Sequence, residues 1–367
     1  MIIPTEPIGS IPRPQQLIEA MQKWERGQLS RSELNAISEE AVRDTIRRFE
    51  ATGSPIITDG EQNKPSFATY PIYGARNLGP DGISIPFADG HTRQLPRLTA
   101  APFRYTTYAS SYLKAAKKLT NSPLKQAVIS ASALSLLYPD GEIQGYSREQ
   151  FLEDLVNEVE TDIRGCLEAG AVTVQIDFTE GRLALKLDPS GKLLDQFVNL
   201  NNRVLERFSE EERLRLGVHS CPGGDLDVTH SADVDYAELL PSLFKLKVTN
   251  FYLQMASETN RYGVLKLIRG TINPQQRIFV GVIDPIDSAL ETPEEVCARV
   301  LEAANHIPLE QLGTTDDCGF APFLDDTSTA RDLAFSKIAA RVEGTAMAAE
   351  GLQGQAPLKG RAGRTGS

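Results

Sequence analysis

Leu214-Arg215-Leu216-Gly217-Val218-His219-Ser220-Cys221-Pro222-Gly223-Gly224 is the stretch on which the fold turns. An apolar run of β character is cut off by Pro222, Gly223 and Gly224, and the residues at the cut are polar and reactive. Successive strand side chains point to opposite faces, so His219 and Cys221, two apart, leave on the same face. An imidazole beside a thiolate is a ligand pair of the zinc type. Alone, the pair also suits ordinary packing. Its weight comes from what recurs along the rest of the chain.

The same pattern, an apolar run followed by polar residues at a loop, repeats on both sides. Residues 1–13 begin extended and end at Ile8-Gly9-Ser10. Residues 54–58 run into Asp59-Gly60-Glu61. Residues 126–137 and 171–177 are strand-like, the second followed by Phe178-Thr179-Glu180. Residues 250–256 lead to Glu258, 277–283 to Asp284-Pro285, and 309–313 to Cys318. Helical spacing fills the intervals at 15–25, 31–52, 148–169, 193–208, 236–246, from 264, from 293 and over 328–351. Ser30 with Glu33 makes a capping box, and Thr292 caps a helix that starts at Pro293. About eight strand–helix units with continuously apolar strands predict an α/β fold, a TIM (β/α)8 barrel. A doubly wound sheet would call for Gly-x-Gly-x-x-Gly after the first strand, and none is there. The expected domain is one barrel over residues 1–352. Residues 62–125 form an insertion over its mouth, with a hairpin around Asp89-Gly90. The Gly-, Arg- and Lys-containing tail 353–367 is expected to be disordered. In a barrel, residues just past the strands converge on one face, where active sites lie.

The chain has 367 residues, 38 Lys and Arg against 49 Asp and Glu, and a net charge of −11. That balance argues against nucleic acid or an anionic membrane as partner. No leader or membrane-spanning run is visible, so a cytoplasmic location is expected. Four cysteines in so long a chain do not make a disulfide framework. Cys166 and Cys297 fall within helices and read as packing residues, His91 and His306 as surface residues. His230 either lines the site or caps a loop. The oligomeric state is not written in the sequence.

His219, Cys221, Glu258 and Cys318 therefore form a candidate zinc set, spread over three strands rather than clustered as in a structural staple. Two thiolates, an imidazole and a carboxylate keep a bound sulfur electron-rich, and the expected chemistry is alkylation of a thiol. The ordered set Ile8-Gly9-Ser10, Asp59-Gly60-Glu61, Gln175-Ile176-Asp177, His219-x-Cys221, Glu258-Thr259-Asn260-Arg261 and Asp317-Cys318-Gly319 resembles the catalytic half of cobalamin-independent methionine synthase. The resemblance implies zinc on His219, Cys221, Glu258 and Cys318, and methyl transfer to homocysteine. It also implies an amino-thiol site at Ile8, Gly9, Ser10, Glu61 and Asp177, with the two carboxylates on the ammonium.

The chain departs from that pattern in three places. Asp177-Phe178-Thr179-Glu180-Gly181 stands where the family usually reads Asp-Glu-Pro-Ala-Leu. The family's proton-donating His after the seventh strand is missing from Gly281-Val282-Ile283-Asp284-Pro285-Ile286-Asp287, which leaves Asp284, Asp287 and His230 as acid candidates beside Asp177, the catalytic carboxylate expected on the ammonium. Arg13 follows the Ile-Gly-Ser turn as a candidate substrate contact. The chain is also similar to the epoxyalkane:coenzyme M transferases. That resemblance implies a zinc-activated thiol opening an epoxide, with Arg13 or Arg182 on a sulfonate. A zinc barrel without catalytic activity is the remaining alternative.

Overall fold

Six parallel strands lie side by side in the computed structural model, which describes residues 2–354. Their hydrogen-bonded order is Leu312–Asp316, Arg277–Ile283, Asn250–Leu253, Leu216–Ser220, Thr173–Asp177 and Lys125–Ile129. Nearly every residue in them is buried. That is the signature of a sheet covered on both faces, and it explains the absence of an alternating pattern in the sequence.

The two free edges of this sheet turn towards each other. Thr5 bridges Thr314 in parallel, and Ile57 bridges Leu124 in parallel. The two extended segments then meet: the Thr58 hydroxyl donates to the Gly9 carbonyl at 2.8 Å, and Ile11 N–H donates to Gly60 at 3.0 Å. Eight positions around a ring result, the arrangement of a TIM barrel. No strand ladder closes this seam among the described residues. Pro4, Pro7 and Pro55 lie in the two segments and lack the N–H groups a ladder needs.

Ile8, Tyr252 and Phe279 pack together apart from the main core. Beside them Lys125 reaches the Pro7 carbonyl at 2.9 Å, pairs with Glu6 at 3.4 Å and sits over the Tyr252 ring at 3.4 Å. Burial pulls the Lys125 ammonium down to about 8, with Glu6 opposing.

The expected capping boxes form at Ser30 with Glu33 and at Thr292 with Glu295. Three expectations need correction. The strand over 126–137 ends at Ile129, where Ser130 accepts from Ala133 N–H and opens the helix Ala131–Ser135. The segment 62–125 holds the expected hairpin, Ser84–Pro86 against Thr92–Gln94, but also the helix Ala109–Ala116, the connection between two barrel positions. The last helix is Arg331–Gly354, so residues 353 and 354 belong to it, and the rest of the expected tail lies outside the described residues. No described helix is long and apolar enough to cross a membrane.

Candidate metal centre and active site

The strand Leu216–Ser220 delivers His219 at its last turn and Cys221 one residue beyond. The strand Leu312–Asp316 delivers Cys318 two residues past its end. One donor atom from each of His219, Cys221 and Cys318 lies within 4.8 Å of the others. The two sulfurs are 3.2 Å apart, and both cysteines are free. Both ring nitrogens of His219 are buried without a hydrogen-bond partner. Buried polar groups are normally paired, so an imidazole without a geometric hydrogen-bond partner facing two thiols fits a site that could hold a cation. The Cys318 thiol is pushed well above the usual thiol range by the Cys221 thiol and by burial, with His219 pulling the other way. Two adjacent thiols cannot both ionise without a positive charge between them.

Two glycines let the backbone come this close. Gly223 has φ 72°, and a Cβ there would stand 1.8 Å from Nε2 of His230. A Cβ on Gly319 would stand 2.1 Å from the Ser10 hydroxyl. The Ser10 carbonyl accepts from Phe320 N–H at 3.0 Å, which ties the first turn to the Cys318 loop.

A second group of side chains faces the cluster across the mouth. Thr173–Asp177 pairs with Leu216–Ser220 so that Asp177 is opposite His219. Gln175 donates to the Asp177 carboxylate at 2.7 Å and to the Ile8 carbonyl at 3.2 Å. Burial raises the Asp177 carboxyl to about 6, opposed by His219 and reinforced by Glu61. Glu61 sits at φ 56°, a conformation that costs a non-glycine residue free energy. It is held there by the Asp59 carboxylate, which accepts its N–H at 2.9 Å. Its own carboxylate meets Lys64 at 2.8 Å, with both side chains buried. A cavity of about 300 Å³ connects Ile8, Ser10, Glu61, Asp177, His219 and Cys318.

Other expected residues stand elsewhere. Glu258 is outside the cluster and pairs with Arg182 at 3.5 Å. Its loop is fixed by Asp317, whose carboxylate accepts from the N–H groups of Met255, Ala256 and Ser257 and from the Ser257 hydroxyl. Arg13 is buried, and its guanidinium binds the carbonyls of Glu61, Lys64, Ala321 and Phe323, so it organises the loops rather than facing the cavity. Asp284 is not on the cavity wall; its carboxylate accepts from Ile286 N–H. His230 is on the wall, with Nδ1 at 2.5 Å from the Ser231 hydroxyl, and burial lowers it to about 4. Lys64 was not singled out from sequence, and Asp317 entered only as the neighbour of Cys318 in its motif. The spacing Glu61-x-x-Lys64 was the available signal for the first.

A parallel barrel with a buried imidazole–dithiol cluster at the strand ends defines the class: a barrel with a set of soft donors at its mouth that could hold a metal ion. Residues 92–341 match the family "Cobalamin-independent synthase, Catalytic domain", and the chain belongs to that family, an enzyme family of methyl transfer. It is similar to the methionine synthases of Sulfurisphaera tokodaii and Saccharolobus solfataricus. The first is 23% identical over 357 residues, 96% of this chain and 94% of that protein; the second is 22% identical, with 96% of each covered. The fold matches a B12-independent methionine synthase from Shewanella sp. W3-18-1 in complex with selenomethionine, TM-score 0.78 at 21% identity, covering 96% of this chain and all of that one. It also matches a putative vitamin-B12 independent methionine synthase from Listeria monocytogenes, TM-score 0.69 at 23% identity, covering 95% and 98%.

Proposed function

We propose that this protein is a zinc-dependent thiol methyltransferase whose acceptor is homocysteine. The observation that carries the proposal is the cluster of Cys221 and Cys318 with His219, whose ring nitrogens have no partner, beside a cavity that His219 and Cys318 share with the carboxylates Glu61 and Asp177. The donor set fits zinc: one imidazole and two thiols are borderline-soft ligands, and three protein ligands leave a position open. When bound, zinc would lower the pKa of a substrate thiol enough to hold it as a thiolate at neutral pH.

The chain's own residues do the rest. Asp177 and Glu61 present acceptors to the substrate ammonium, Lys64 fixes the Glu61 carboxylate, and the Ser10 turn bounds the carboxylate end. Phe67, Phe87 and Phe323 keep water from the sulfur. Glu258 is not required by a three-ligand centre with an open position. The anchors that a sulfonate thiol would need, Arg13 and Arg182, are engaged with carbonyls and with Gln254 and Glu258. That supports an amino-thiol over coenzyme M.

The test is methionine formation from homocysteine and a neutral methyl electrophile such as iodomethane. Zinc-loaded protein should accelerate it over protein-free solution; chelated protein and Cys318→Ser should not. Equal rates with and without zinc would overturn the proposal.

A further inference from the structure

The hairpin over the barrel mouth is seated on both cysteine loops. It pairs Ile85 opposite Arg93, and both line the cavity together with Phe87 and Leu95, two residues further along the same face. The Arg93 guanidinium is a rigid fork of donors. Its Nε and Nη2 donate to the two oxygens of Asp225, and its Nη1 donates to Asp325 at 2.9 Å. Asp225 lies four residues beyond Cys221, and Asp325 seven beyond Cys318. One side chain of the insertion thus holds the two loops that carry the thiols. The guanidinium also covers the Phe323 ring of the second loop at 4.3 Å.

The first loop depends on that hold. The Asp225 side chain is fully buried, whereas that of Asp325 is exposed. A carboxylate shut from water needs partners. Among the described residues, the side chains that meet Asp225 are Arg93 and, at 3.0 Å, Nε2 of His91, both from the hairpin. Asp225 stands in a small ribbon, Gly224–Asp225 against Val228–Thr229, turned by Leu226 and Asp227 at φ 48° and 59°. Two successive left-handed residues that are not glycine cost free energy and persist only where contacts hold them. The hairpin supplies such contacts, since Ala88 N–H also donates to the Thr229 carbonyl at 3.1 Å. A longer link, Leu226 N–H to Asp326 at 3.4 Å, joins the two cysteine loops without the hairpin.

We propose that Arg93 is a positioning residue: by bridging Asp225 and Asp325 it locks the hairpin over the cavity and sets the separation of the Cys221 and Cys318 loops. That the cluster holds a metal rests on the reading above; the bridge does not. Contacts of this kind, one step out from the donors, orient metal ligands. Because the same guanidinium holds the lid and the two loops, lifting the hairpin to admit substrate loosens the thiol pair, and closing it restores the pair.

Hydrogen exchange of the full chain, read by mass spectrometry over residues 84–95, 222–230 and 319–326, tests the bridge without turnover. Arg93→Met is compared with Arg97→Met, which removes an exposed pair with Asp81 in the same insertion. Arg93→Met should speed exchange in all three segments at least about tenfold, the worth of one hydrogen bond to a charged group, and Arg97→Met should leave both cysteine loops unchanged. Acceleration confined to the hairpin, or absent, overturns the bridge. If Arg93→Met does not fold, Asp325→Asn removes one arm at the surface; it should speed 84–95 and 319–326, and no change overturns the proposal. Cobalt-loaded protein gives a second readout, because thiolate charge-transfer and ligand-field bands follow ligand geometry. Arg93→Met should shift these bands and weaken cobalt binding about tenfold or more, whereas unchanged bands overturn the role in thiol positioning. Failure to take up cobalt, or to methylate any thiol, sinks the proposed function instead, and hydrogen exchange still decides the bridge.

Discussion

Replacing Lys64 by Met should be among the most destabilising single changes in this chain while leaving the metal cluster intact. The Lys64 side chain is 1% exposed and that of Glu61 is 5% exposed. The ammonium pairs with Glu61 at 2.8 Å, donates to the Ala127 carbonyl at 2.9 Å and lies 4.3 Å from the Tyr70 ring centre. Burial pulls its pKa down, but Glu61 and Asp59 outweigh burial and the net direction is up, which is the mark of a charge that its partners need. Met preserves most of the stem volume, so the loss is one of charge and hydrogen bonds. Removing one partner of a buried ion pair costs about 3–5 kcal/mol. That is a large part of the ~5–15 kcal/mol that holds a typical protein folded. Urea unfolding with fixed slope should show the drop, and zinc content per chain should be unchanged. The double variant Lys64→Met/Glu61→Gln should recover at least half of the loss, because the uncompensated carboxylate is gone. A single-variant loss under about 1 kcal/mol, the value of a solvated pair, would refute the argument.

Four further outcomes are expected. Cys318→Ser should weaken zinc binding by more than the 10–100-fold typical of outer-shell changes, with an unchanged far-UV spectrum. Glu61→Gln should raise the KM for homocysteine about tenfold or more, at roughly 1.5–3 kcal/mol for a charged hydrogen bond, with zinc stoichiometry unaltered; loss of zinc would place Glu61 on the metal instead. Gly319→Ala drives a Cβ into the Ser10 hydroxyl and should cost about 1–3 kcal/mol in urea unfolding, with a fall in homocysteine affinity. Asp162, buried between the Tyr70 hydroxyl and Ala109 N–H, is raised from 3.8 to about 6 by burial. The folded state therefore holds a proton that the unfolded chain releases. Its contribution to stability is full below about pH 4 and fades as pH rises through about 6, by up to roughly 3 kcal/mol. Asp162→Asn should flatten that part of the urea-midpoint profile between pH 4.5 and 7.5.

Much of this was legible in the sequence because the barrel puts its chemistry where strands end. His219 and Cys221 declare themselves through a spacing of two, and Cys318 through the polar run before it. Pro293 and Thr292 mark their helix to the residue, since capping is local chemistry. The run 126–137 was harder: an apolar stretch suits a buried strand or a short helix equally, and the Ser130 hydroxyl decides it. The helix Ala109–Ala116 was hidden inside a segment whose glycines and tyrosines read as irregular. Glu258 and Asp317 show a different limit. Both are carboxylates at strand ends, and only packing shows one on Arg182 and the other tying down a loop. Lys64 has only its spacing from Glu61 as a signal; its burial depends on Ala127 and Tyr70, which the fold brings to it.

The central claim is that this cluster, once loaded with zinc, takes up an amino-thiol as a thiolate. Isothermal titration of zinc-loaded protein with homocysteine, in buffers of different ionisation enthalpy, counts the protons released. The account predicts about one proton per homocysteine bound near pH 7, and none from the chelated protein. Binding without proton release from zinc-loaded protein would contradict it.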